Sequence, residues 1–204
     1  MREFADKKAN ALTEGRACGL AAGTKVATSI GWRPVEALIA GDKVLTFDAG
    51  LQKITRIDRA LLWAEDTPCP RHLWPMEVPA HALGNHAPMR LLPEQCVILE
   101  SDTAEEIFGS PFSMVPAAAL EGFRGIARTE PRGMVEVVSI CFAEDQVVFA
   151  NVGALFHCPR VIAGEIVRDS LEIEDGGLYA PMDIERAETL TAMIEAEESR
   201  EAAY

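Results

Sequence analysis

From Thr24 onward, turn signals recur every 8–12 residues or so (roughly the spacing of short strands), with brief apolar runs between them. Thr24–Ile30 alternates around Val26 and Thr28 and ends at Ile30-Gly31. Ala40-Gly41-Asp42 leads into Lys43–Phe47. Asp48-Ala49-Gly50 leads into Leu51–Trp63, which reads as one longer strand or a pair. Runs this short cannot hold together as independent helices. The spacing predicts an all-β fold of short strands.

The same pattern continues past the Pro-containing loop Asp66–Pro70. Met76-Glu77-Val78 is a short strand, and Met89–Leu92 and Cys96–Glu100 flank a turn at Pro93-Glu94. Ala104–Phe108 and Pro116–Leu120 read as single helical turns. Met134–Phe142 is a strong strand carrying Val135, Val137, Val138 and Ile140. Gln146–Phe149 is predicted to pair with it as a hairpin across Ala143-Glu144-Asp145.

After Pro159 the character changes. Val161–Gly177 is acidic, and Met182–Ala203 is rich in Glu and Ala without Gly or Pro. Ile184, Leu190, Met193 and Ile194 fall near one face, and Asp183 is placed to cap the start. This predicts a C-terminal amphipathic helix. Its narrow apolar stripe has three readings: docking on the β domain, pairing with a second copy or another protein, or capping the domain edge in solvent. The expected organisation is a leader over 1–16, a β domain over 17–160, and an acidic segment with the helix over 161–204.

The net charge of −13 narrows the function classes. Such a chain repels phosphate backbones and anionic lipid surfaces, so neither nucleic acid nor a membrane is an expected partner. No apolar run approaches the roughly 18 residues of a membrane span. Met1–Arg16 lacks the apolar centre of a signal peptide, which makes a cytoplasmic location the default. Cys18, Cys69, Cys96, Cys141 and Cys158 are scattered without C-x-x-C spacing. No zinc or redox motif follows from them, and no cofactor or metal is expected. No Ser-His-Asp spacing, phosphate-binding glycine loop or paired carboxylate site marks another type of enzyme.

Gly19-Leu20-Ala21-Ala22-Gly23-Thr24, Arg33-Pro34-Val35-Glu36 and Gly41-Asp42-Lys43-Val44-Leu45-Thr46 together resemble the opening of a bacterial Hint (hedgehog/intein) domain. Pro75–Gly84, Leu92–Leu99, Ala104–Gly109 with Met114–Ala117, and Asp145–Asn151 are similar to the later blocks of that family, in the same order. The resemblance covers about residues 17–158. It implies the Hint fold and a chemistry related to self-cleavage and protein splicing, single-turnover at most. In the family, a Cys or Ser at the first position attacks the preceding carbonyl in an N-to-S or N-to-O acyl shift. A Thr-x-x-His or Ser-x-x-His turn holds the scissile amide and protonates its nitrogen.

The chain departs from that pattern at each key place. Counted back from Gly23, the nucleophile slot is Gly19, with Cys18 one residue early. The hydroxyl slot of the second block is Leu92 and the imidazole slot is Gln95, which has no proton to transfer near neutral pH. At the far end His157 and Cys158 are adjacent, without the Asn that inteins cyclise. Asp145, at the closing strand, is a site candidate beside its plainer reading as a turn acid. The resemblance therefore implies a Hint domain degenerate at its catalytic positions and kept as a structural or binding module. The alternative is an active domain in which a bulge at Gly19 brings Cys18 into the nucleophile position. His81, His86 or His157 would then supply the proton. A further expectation is that Cys18 and Cys96 lie close enough to form a redox-sensitive pair.

Overall fold

A computed structural model describes residues 19–63, 67–162, 165–166 and 180–201. The leader, Cys18 and most of the acidic segment fall outside these residues. The strands are β1 (Leu20–Ala21), β2 (Lys25–Thr28), β3 (Gly31–Pro34), β4 (Lys43–Thr46), β5 (Gly50–Lys53), β6 (Arg56–Leu61), β7 (Met76–Val78) and β8 (Met89–Leu91). They continue with β9 (Cys96–Glu100), β10 (Phe112–Pro116), β11 (Ala127–Arg128), β12 (Glu136–Cys141), β13 (Gln146–Ala150), β14 (Ala154–Cys158), β15 (Val161–Ile162) and β16 (Glu165–Ile166). Among the described residues two α-helices accompany them, α1 (Asp102–Phe108) and α2 (Ile184–Glu201). The all-β expectation with a C-terminal helix holds.

The largest sheet runs β10-β9-β14-β13-β2-β4-β5, with β3 added on β2. A second sheet has the order β1-β12-β6 and a third β11-β7-β8. Leu51–Trp63 is indeed a pair, divided between sheets. β5 pairs with β4, whereas β6 pairs with β12. Pro116–Leu120 is half right. Its last four residues form a 3-10 turn, while Pro116 ends β10, a strand that the sequence reading did not separate.

One expectation is corrected. β12 and β13 do not form a hairpin, although only Phe142–Asp145 separates them. β12 lies between β1 and β6, and β13 pairs with β14, β2 and β4. Both strands are buried along most of their length. Each is an interior strand, β12 between β1 and β6 and β13 between β14 and the β2–β4 pair, so neither has a free edge for the other.

The sequence blocks turn out to be framework. Glu36 accepts the Gly23 N–H at 3.0 Å, and Asp42 accepts from both the Arg33 guanidinium at 3.0 Å and the Ile39 N–H at 3.1 Å. These carboxylates hold the turns that bury Val35 and Leu38. The main core then spans the three larger sheets, with Val26, Val44 and Phe156 from the first, Val138 and Ile140 from the second, and Met76 and Leu91 from the third.

The C-terminal helix docks on its own domain. Asp183 caps it, accepting the Arg186 N–H at 2.8 Å. Ala187, Leu190 and Ile194 join the main core, and the helix packs on α1, β10 and the 3-10 turn Ala117–Leu120. Arg124 ties it down, donating to Glu198, to the Ala82 carbonyl at 3.0 Å and, through its backbone N–H, to Glu195 at 2.9 Å. No helix among the described residues is long and apolar enough to cross a membrane.

Candidate functional site

The opening strand, the Leu92–Gln95 turn and the closing strand meet. β1 lies against β12 with Leu20 opposite Val138 and Ala21 opposite Val137. Gly19 enters this strand pair buried. A Cβ there would sit 2.4 Å from Val137 Cγ1 and 2.9 Å from Ser139 Oγ. Packed carbon atoms stand about 3.5–4.0 Å apart, so any larger residue at 19 forces its neighbours to move. Val137 is β-branched and has few rotamers to retreat into.

On the other side of Val137 lies Leu92. It is fully buried in a small apolar cluster with Ala21, Leu62, Val135 and Val137. The surroundings of Leu92 are packed hydrocarbon. The turn itself is intact, since the Gln95 N–H donates to the Leu92 carbonyl at 3.0 Å. Pro93 and Gln95 carbonyls in turn accept from Ala118 at 2.8 Å and Ala117 at 2.9 Å. The turn is thereby fixed to the 3-10 segment on which α2 packs.

Gln95 is 1% exposed. Its Nε2 donates to the Cys96 carbonyl and to the His157 carbonyl, both at 2.8 Å. The second bond reaches across and staples the turn to β14. The Gln95 side-chain amide is therefore committed to backbone carbonyls. Its Oε1 is buried and has no hydrogen-bond partner among the described residues.

His157 sits on β14 opposite Val147 and is 8% exposed. Burial pushes its pKa down, opposed by the nearby Asp145 carboxylate. The ring is thus neutral at neutral pH and ill suited to donate a proton there. Asp145 accepts the Arg160 N–H, and Arg160 also reaches Glu144 at 3.2 Å. Both acids tie the chain after β14 back to the turn before β13. The plainer reading of Asp145 as a turn acid matches this placement.

His81 and His86 lie on one exposed loop, with ring centroids 6.1 Å apart. Among the described residues neither ring hydrogen-bonds to the Leu92–Gln95 turn. The loop is built around Asn85, fully buried, which donates to Pro79 and Ala87 carbonyls at 2.8 Å and accepts from Leu83 at 3.0 Å. Beside it Gly84 and Gly153 touch backbone to backbone. A Cβ on Gly153 would stand 2.2 Å from the Gly84 carbonyl oxygen. Sequence reading missed Asn85 and this contact, since a lone Asn beside a Gly looks like any turn.

Cys18 lies outside the described residues, so its proposed pairing with Cys96 does too. Cys96 Sγ is half-buried and 3.7 Å from the Glu94 carbonyl. Among the described residues, no group of three or more His, Cys, Asp or Glu side chains is placed to hold a metal ion.

Short antiparallel strands that gather an opening segment, a central turn and a closing strand around one point define the class of intein-like β domains. The chain belongs to the Hint domain family, whose profile matches residues 18–155. Among solved structures it is similar to a bacterial intein-like domain from Clostridium thermocellum, at 12% identity and a TM-score of 0.50. That likeness covers 69% of this chain and 98% of the other. It is also similar to a splice-inactive variant of the AceL NrdHF class 3 split intein. There the identity is 14% and the TM-score 0.46, over 71% of this chain and 99% of that one. Likeness at these identities is one of fold. No curated protein sequence matches the chain.

Proposed function

We propose that this chain is a Hint domain that has lost self-cleavage and serves as a structural or binding module. The observation that carries the reading is the closed space at Gly19. The family's nucleophile position admits no side chain while Val137 and Ser139 stand where they do. Leu92 and Gln95 support it, since one cannot hydrogen-bond an amide and the other is held by two carbonyls. All three elements of the acyl shift are then missing together: nucleophile, amide holder and acid.

One observation favours the second reading, in which Cys18 is a working nucleophile. The family match begins at residue 18. In that case Cys18 Sγ adds to the Ala17 carbonyl, the amide C–N bond breaks, and the Cys18 nitrogen takes the proton.

Intact mass of the purified full chain, with and without a thiol and hydroxylamine, separates the two. An unchanged species at 22.2 kDa supports the inactive module. Release of Met1–Ala17 by thiol, lost in Cys18→Ala, overturns it.

A further inference from the structure

The solvent face of the sheet formed by β3, β2, β4 and β5 is apolar along one line. Ala27 pairs with Trp32, and Leu45 pairs with Leu51. Thr28 faces Val44 between β2 and β4, so the antiparallel register sets Ala27 beside Leu45. The result is one row across four strands, with Trp32 40%, Leu45 38% and Leu51 46% exposed.

Strand alternation puts Lys25, Lys43 and Lys53 on the same face, all exposed. They are every lysine among the described residues. Lys43 and Lys53 stand directly opposite each other, an arrangement that destabilises a bare sheet. Within the described residues none of the three lysines forms an ion pair. A chain of net charge −13 has thus gathered positive charge and hydrocarbon on one face.

The complementary surface lies on the same molecule. β10 ends the large sheet opposite β5, and α2 packs there. An open groove between α1 and α2 is lined by Glu106, Glu185, Glu188, Ala192 and Met193 among others. Met193 is 43% exposed. This groove is acidic with an apolar floor, the inverse of the sheet face.

We propose that the α1–α2 groove of one copy seats on the lysine-flanked sheet face of a second copy. Glu185 and Glu188 offset the repulsion between Lys43 and Lys53, and Met193 covers the Trp32–Leu51 row. Two different patches meet, so the contact is head-to-tail and repeats until the assembly extends or closes into a ring. The proposal stands apart from the chemistry at Gly19 and holds whether or not the domain cleaves itself.

Sedimentation velocity of the full chain across a wide concentration range, in ~0.15 M salt, tests it. The wild type is expected to rise above the 22.2 kDa monomer as concentration increases. Lys43→Glu with Lys53→Glu, and separately Glu185→Lys with Glu188→Lys, each place like charges at the contact and are expected to be monomeric. Mixing the two variants restores opposite charges at both contacts, so the mixture is expected to associate. Circular dichroism confirms that each remains folded, and Trp32→Ala serves as the uncharged variant expected to weaken association at least tenfold. A wild type that stays monomeric throughout overturns the proposal. So does association that persists unchanged in both charge variants. Binding of the monomer to phosphatidylserine vesicles, lost in Lys43→Glu with Lys53→Glu, would assign the face to lipid instead.

Discussion

Gly19 shows how a single residue type can set how closely two strands pack. Its lack of a side chain lets β1 lie against Val137 and Ser139, where a Cβ would stand 2.4 Å from Val137 Cγ1. Gly19→Ser is expected to cost about 1–3 kcal/mol of stability through overpacking. The check is a lower urea midpoint with an unchanged slope. Combining it with Val137→Ala should cost less than the sum of the two changes, since the cavity of one accommodates the other. The family blocks around Gly19, Leu92 and Gln95, which the family match over residues 18–155 spans, were legible in the sequence. What fills the space around them was not, because Val137 and Ser139 come from more than a hundred residues away. His157 carries a further consequence. Its folded pKa lies below the unfolded value of about 6.5. The unfolded chain therefore binds more protons as pH falls, so stability is fully present above about 6.5 and declines below it. Urea midpoints between neutral and mildly acidic pH should fall less steeply in His157→Gln than in the wild type.

Among the elements, α2 separates what local sequence encodes from what it leaves open. Its extent and its Asp183 cap were readable, because a helix makes its own hydrogen bonds along a contiguous stretch, but its apolar stripe only in part: Leu190 and Ile194 are buried with Ala187 and Thr191, whereas Ile184 and Met193 are exposed. Strands show where they begin and end but not which strands they join, and β12 with β13 proves the point. Their closeness in sequence suggested a hairpin, yet β12 is flanked by the distant β1 and β6, and β13 forms its hairpin with β14 instead and meets the distant β2 and β4 on its other side. The anchoring of α2 was equally hidden, since Arg124 and Ala82 lie far from it in sequence. Arg124→Ala should cost about 1 kcal/mol, discounted because the ion pair with Glu198 is partly exposed. Hydrogen exchange should then quicken in α2 before it quickens in β12 or β13. Leu190→Ala, which empties part of the core under the helix, should cost about 2–5 kcal/mol by thermal or urea unfolding.

For the whole molecule, the excess of acid acts against compactness. A chain of net charge −13 repels itself, and the described salt bridges are largely at the surface and individually weak. Raising ionic strength from ~0.01 M to ~0.15 M shortens the screening length from about 30 Å to about 8 Å. The melting temperature is expected to rise across that range. A fall would mean that the ion pairs outweigh the repulsion.

The pairing of Leu20 with Val138 has a consequence for how the chain is made. Protein synthesis delivers residues in order, so β1 leaves the ribosome long before the strand it needs exists. Until Glu136–Cys141 emerges, the opening segment has no place to go, and a chaperone can claim it. Chains cut short before β12 should lack a settled β1. Pausing the ribosome upstream of that point should keep the nascent chain sensitive to protease at its beginning.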